Sequence, residues 1–211
     1  MTQYNIIAES QEYTVVAEYD HVATPAEAYQ SEADLEKEFI RLLGEQGYEY
    51  LPIHTETDLI SNLRAQLEKL NHYHFTDSEW EQFFNTCIAN KNDDIVAKTA
   101  KIQDDYIQVL KRDTGESQNI KLIDKDNIHN NTLQVINQYV EEGGNYDTRY
   151  DVTVLVNGLP LVHIEMKRRG VQLKEAFNQI NRYQRDSFWA GCGLYEYVQI
   201  FVISNGTNTK Y

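Results

Sequence analysis

Asp151, Glu165 and Lys167 fall within one short stretch, 150-YDVTVLVNGLPLVHIEMKRRG-170. Two carboxylates on neighbouring strands can hold a divalent cation through oxygen ligands. Such an ion polarises a phosphoryl group, lowers the pKa of a bound water and steadies charge on a leaving oxygen. A lysine two residues beyond the second acid shares its face, because strand side chains alternate. Its ammonium can stabilise the developing phosphorane charge or orient the attacking water. Asp151 followed by Glu165-x-Lys167 is therefore a coherent set for hydrolysing a phosphodiester. These residue types are common, and the pattern alone is a weak motif. A second strand apolar enough to be buried, yet ending in acids, strengthens it, since buried unpaired acids are costly.

The stretch reads as two strands joined at Asn157-Gly158, and the turn sets a constraint. A plain two-residue turn would pair Asp151 with Ile164, leaving Asp151 and Glu165 on opposite faces of the sheet. An odd-length loop or a bulge reverses that parity. The shifted register puts Val152, Val154, Val156, Val162, Ile164 and Met166 on one apolar face. Asp151, Thr153, His163, Glu165 and Lys167 then share the other.

A helix over 171–187 should follow, with Leu173, Ala176, Phe177 and Ile180 at helical spacing. Gln179 and Tyr183 are one turn apart on one face of it. The glutamine can bond a metal-bound water, a carboxylate or a phosphate, and the tyrosine can stack on a base or donate to a phosphate. Arg182, Arg185 and Lys174 are candidate contacts to a nucleic-acid backbone. On composition alone this is an ordinary solvated face.

The elements that must carry these groups follow from pattern. Residues 3–18 suggest one or two short strands. Ser31 can cap a helix running to about Gln46, striped by Leu35, Phe39, Leu42 and Leu43. Further helices are expected over 57–70, from near Ser78 through Ile88, and over 93–103, the last containing Ile95, Val96 and Ile102. Residues 106–110, 119–124 and 131–140 read as strands, with turns at 113–117 and at Gly143-Gly144-Asn145. The apolar run 197–204 suits a buried strand, and the polar SNGTNTKY after it offers nothing to cover it, which reads as an amino-terminal piece of a longer chain.

The 211 residues, 41% of them hydrophobic, suit one domain with a sizeable core. No signal peptide and no apolar run of about 20 residues is present, so a cytoplasmic protein with no membrane contact is expected. Cys87 and Cys192 read as buried free thiols. A net charge of -14 argues against a general nucleic-acid binder. The acidity belongs to the flanks: residues 145–190 carry seven Lys and Arg against five Asp and Glu, a local +2. There is no GxxxxGK[ST] phosphate loop and no GxGxxG dinucleotide turn.

The runs RYDVTVLVNGLPLVHIEMKRRG, EAFNQINRY and VISNGT, with YQSEADLEKEFIRLLGEQGYEY upstream, together resemble the amino-terminal nuclease domain of the restriction (motor) subunit of type I restriction–modification enzymes. The resemblance implies an α/β (α+β) chain with a PD-(D/E)xK restriction-endonuclease-like fold of the RecB-like branch, a mixed central sheet flanked by helices. It implies that 1–211 is one nuclease domain of a longer subunit whose ATP-dependent motor domains lie beyond it. Asp151 and Glu165 match the metal-binding acids, Lys167 the catalytic lysine, and Gln179 and Tyr183 the QxxxY motif. Glu36 matches a further acid near the site, with Glu32 the competing candidate; Tyr150 stands where the motif's name has proline. The implied cofactors are Mg²⁺ for this domain and ATP for the full-length subunit. The implied partners are double-stranded DNA and the methylase and specificity subunits. Two other readings are a non-catalytic docking module that couples motor to methylase, and a standalone defence or repair nuclease.

Overall fold

A computed structural model describes residues 4–9, 15–20, 31–141, 148–171, 173 and 193–211. Its main sheet has eight strands among the described residues. In chain order they are β1 (Tyr4–Glu9), β2 (Val15–Asp20), β3 (Glu49–Tyr50), β6 (Leu133–Glu141), β7 (Thr148–Val156), β8 (Leu159–Met166), β9 (Ile200–Ser204) and β10 (Asn208–Lys210). A separate hairpin supplies β4 (Ile107–Lys111) and β5 (Ser117–Lys121). The sheet order is β1-β2-β10-β9-β8-β7-β6-β3. The β8–β9 and β3–β6 pairs are parallel and the others antiparallel, so the sheet is mixed. The chain is thus of mixed α and β structure, as its sequence pattern predicts.

Helices cover both faces. Helix α1 (Glu32–Glu45) starts at Ser31, whose hydroxyl accepts from the Asp34 N–H while the Asp34 carboxylate reaches back, a capping box. It lays Leu35 and Leu43 on Val135, Val152, Val154, Ile164 and Met166. The other face packs against α2 (Glu56–Asn71), α3 (Asp77–Phe83) with its π-helical extension Phe84–Ile88, and α4 (Ile95–Gln103). Leu59, Leu63 and Leu67 of α2, one turn apart, are fully buried there. None of the described helices is long and apolar enough to cross a membrane.

Several sequence expectations are corrected. Leu42 is 41% exposed, and Glu36 takes the inward place beside Leu35, because two side-chain amides of β6 hold its carboxylate. In α4, Val96 is 70% exposed, while Lys98 is buried in an ion pair with Glu196. Cys87 is only half-buried. Of the closing strand, Ile203 is buried but Ile200 is exposed. The polar tail does cover it: β10 pairs with β9 on one side and β2 on the other. The helix expected over 171–187 falls outside the described residues except at 171 and 173, as do the Gly143-Gly144-Asn145 turn and Cys192.

Candidate active site

The β7–β8 hairpin turns at Asn157 and Gly158, with φ of 50° and 83°. Positive φ at both central positions is the type I′ pattern that Asn-Gly favours. Val156 pairs with Leu159 and Leu155 with Pro160, the register of a plain two-residue turn. The register then slips by one. Val154 pairs with Val162, Thr153 with His163 and Val152 with Ile164, leaving Leu161 as a bulge. Leu161 is fixed from the other side, since its carbonyl accepts the Gln199 N–H at 2.9 Å. Carried one rung further, this register sets Asp151 opposite Glu165.

Glu165 is fully buried. Its Oε1 accepts from Lys167 Nζ at 2.8 Å. Its Oε2 lies 3.5 Å from His163 Nε2 and accepts no hydrogen bond. Asp151 is mostly buried, and its Oδ2 accepts the Met166 N–H at 2.9 Å. Burial, with the Glu165 charge added, pushes the Asp151 carboxyl up to about 7. Burial works against the Lys167 ammonium, yet its bond to Glu165 and the nearby acids hold its pKa above the usual lysine value.

Two carboxylates, one with an oxygen that accepts no hydrogen bond among the described residues and the other driven towards protonation by burial and its neighbour's charge, are groups that could take a hard divalent cation. No group of three His, Cys, Asp or Glu that could ligate a metal occurs among the described residues. Asp151 and Glu165 are two carboxylates only, and could hold a cation such as Mg²⁺ if waters and substrate phosphate oxygens filled the rest of its shell.

The two acids of α1 take different places. Glu36 is 7% exposed, accepts from Asn137 and Gln138 at 2.5 Å each, and lies near enough to raise the Asp151 pKa. Glu32 is exposed, and its Oε1 accepts the Arg168 N–H at 3.2 Å. Of the other sequence-selected residues, Lys174, Gln179, Arg182, Tyr183 and Arg185 lie outside the described residues. Sequence reasoning missed how His163 is used: fully buried, its ring meets Tyr150 and Phe201 edge-on beneath the carboxylates. Its position two residues before Glu165 was the available signal. Nothing local signalled Asn137 and Gln138.

The family described as "Type I restriction enzyme R protein N terminus" matches residues 29–211. The chain belongs to that family. It is 48% identical over 206 residues to the "Type I restriction enzyme EcoprrI endonuclease subunit" of Escherichia coli, covering 97% of this chain and 66% of that protein. It is 40% identical over 188 residues to the "Type I restriction enzyme SsaAORF53P endonuclease subunit" of Staphylococcus saprophyticus, covering 87% of this chain and 19% of the relative. A "Putative type I restriction enzyme MjaIXP endonuclease subunit" of Methanocaldococcus jannaschii is 36% identical over 108 residues, 47% of this chain. The restriction-subunit chain thus spans about two thirds of the E. coli relative and about a fifth of the staphylococcal one. Within the matched segment lie the bulged hairpin and α1, the elements that bring Asp151, Glu165, Lys167 and Glu36 together.

Proposed function

We propose that this chain is the Mg²⁺-dependent endonuclease domain of a type I restriction enzyme, cleaving phosphodiester bonds of double-stranded DNA. The observation that carries the reading is the Leu161 bulge, which brings Asp151 level with Glu165, together with the buried Glu165 oxygen that accepts no hydrogen bond among the described residues. Asp151 and Glu165 would hold the cation, which when bound supplies an activated water and neutralises phosphoryl charge. Lys167, drawn to Glu165, presents its ammonium to the scissile phosphate and steadies charge as the bond breaks. The buried floor of His163, Tyr150 and Tyr195 keeps water from behind the acids and strengthens their field. Gln179 and Tyr183 would complete the site from the following helix, and Lys174, Arg182 and Arg185 would contact the DNA backbone. A mixed sheet with helices on both faces is compatible with the PD-(D/E)xK architecture, which is part of this proposal.

The relatives' greater length supports a domain within a longer subunit, with ATP bound by motor domains elsewhere in it and methylase and specificity subunits as partners. The β10 strand removes the argument from an uncovered end, so this reading rests on the relatives. The test is cleavage by the assembled enzyme carrying Asp151→Ala, with ATP hydrolysis measured alongside. Loss of cleavage with intact ATPase is expected; unimpaired cleavage would leave a non-catalytic coupling module as the better description.

A further inference from the structure

One rung of the sheet breaks the alternation, and it is the rung that carries Asp151. On β6, Ile136 and Tyr139 belong to the same core cluster though three residues apart; on β7, Tyr150 and Leu155 do so though five apart. Odd separations cannot share a face of a regular strand. The β6–β7 ladder explains both. It pairs Asn137 with Val152, then Tyr139 with Tyr150, and skips the pair between, Gln138 and Asp151. Gln138 has φ 53°, the left-handed region that side chains other than Gly, Asn and Asp rarely enter. Each strand therefore carries one residue out of the pleat at the same level.

The consequences converge on the carboxylates. Freed from the ladder, Asp151 reaches β8 and accepts the N–H of Met166, the residue between Glu165 and Lys167. The Gln138 side chain is tied at both ends: its Nε2 donates to Glu36 Oε2, and its Oε1 accepts from Arg149 Nε. Asn137 holds the other Glu36 oxygen. Strain of this kind persists only where the surroundings enforce it, and here three side chains do so.

We propose that Gln138 is a positioning residue for the metal-binding acids: its left-handed backbone lets Asp151, already level with Glu165, leave the ladder and hold the Met166 N–H, and its amide, steadied by Arg149, keeps Glu36 beside the pair. This rests on reading Asp151 and Glu165 as Mg²⁺ ligands. Gln138→Ala and Gln138→Gly form the discriminating pair. Both lose the amide, and only glycine accepts the left-handed conformation freely. In the assembled enzyme, Mg²⁺ binding is measured by calorimetry, with cleavage, ATP hydrolysis and melting temperature alongside. The alanine variant is expected to bind Mg²⁺ about tenfold more weakly than the glycine variant, at unchanged ATPase, since relaxation of residue 138 to extended backbone returns Asp151 to the β6–β7 ladder and takes its carboxylate off the Met166 N–H that fixes it. Gln138→Ser, which like alanine disfavours the left-handed region, should lie with alanine and takes its place against glycine if alanine fails to fold. Equal Mg²⁺ affinity across the variants that fold would overturn the proposal. Mg²⁺ binding and cleavage undiminished in Asp151→Ala would instead overturn the site reading on which it rests.

Discussion

The two ends of the β7–β8 hairpin are built on opposite terms. At the turn, Asn157 is buried with its backbone N–H and its whole side-chain amide engaged. Its N–H donates to Thr132 O, its Oδ1 accepts from Thr132 N at 2.8 Å, and its Nδ2 donates to Leu122 O and Asn131 Oδ1. Gly158 sits so close to α2 that a Cβ there would lie 2.6 Å from Leu63 Cα. At the open end, some six residues along each strand, Glu165 has a bare buried oxygen and Asp151 is pushed up to about 7. The first end gains stability from every group it buries. The second leaves a Glu165 oxygen without a hydrogen bond among the described residues, and beside it Gln138 of β6 takes a left-handed conformation that, unlike asparagine at the turn, glutamine rarely adopts. Such an end persists because the rest of the sheet holds it, which is the usual economy of a functional site. The bulge at Leu161 lies between them, so pinning at the turn fixes the register that the open end needs.

The sharpest way to break this contrast is to remove the charged groups. Asp151→Ala, Glu165→Ala and Lys167→Ala should each lower cleavage by about a thousandfold or more in the assembled enzyme, with ATP hydrolysis retained. A parallel fall of ATPase in all three would make these residues structural, and the two ends alike. Next comes the turn. Gly158→Ala drives a methyl group into the Leu63 backbone and strains φ 83°, so a loss of about 2–4 kcal/mol is expected in denaturant unfolding. The cleavage rate per folded molecule should stay near normal, because the turn touches no substrate. A slowed reaction at full folding would mean that the turn tunes the site directly.

How far the sequence foretold this depends on the range of the contact involved. Helix starts at Ser31, Thr55, Thr76 and Asp94 rest on bonds to residues three along, so local pattern reaches them. The Asn-Gly turn is equally local. That Asp151 and Glu165 needed a parity change was legible, since two-residue periodicity demands it; that Leu161 supplies it was not, because its carbonyl is fixed by Gln199, just ahead of β9 and distant in sequence. Glu36 and Lys98 replace expected apolar residues on their helices. Their partners, Asn137, Gln138 and Glu196, lie about a hundred residues away, where periodicity carries no information. The tail was misread for the same reason: residues 208–210 are polar, and their place is set by pairing with β2 and β9.

Titration of Asp151 offers a finer test of the open end. Its folded pKa of about 7 stands above the ordinary 3.8, so without metal the native state binds more protons than the unfolded state between those values. Stability from this group is fully present below about pH 4 and is lost as pH rises through about 7, by up to about 4 kcal/mol. Asp151→Asn should therefore raise the metal-free melting temperature at pH 8 and leave it nearly unchanged at pH 4. A bound cation favours the carboxylate, so the pH midpoint of cleavage should fall as Mg²⁺ is raised. A midpoint indifferent to Mg²⁺ would detach Asp151 from the metal.

The smallest stability effects are expected on the helix that the sequence pattern predicts over 171–187, and they separate chemistry from packing there. Gln179 and Tyr183 were selected for a shared helical face, and a solvated polar side chain rarely contributes more than about 0.5 kcal/mol to folding. Gln179→Ala and Tyr183→Ala should thus melt within about two degrees of the parent and cut poorly, since the lost hydrogen bonds serve a metal-bound water or a phosphate. Phe177, at the apolar spacing of the same helix, should behave inversely. Phe177→Ala should cost about 3 kcal/mol through a cavity, and the molecules that stay folded should still cut. Thermal melts and cleavage rates on the same three preparations decide the matter. Parent-like cutting by both polar variants would make the QxxxY spacing an ordinary solvated face, and would confine the chemistry to the hairpin's open end.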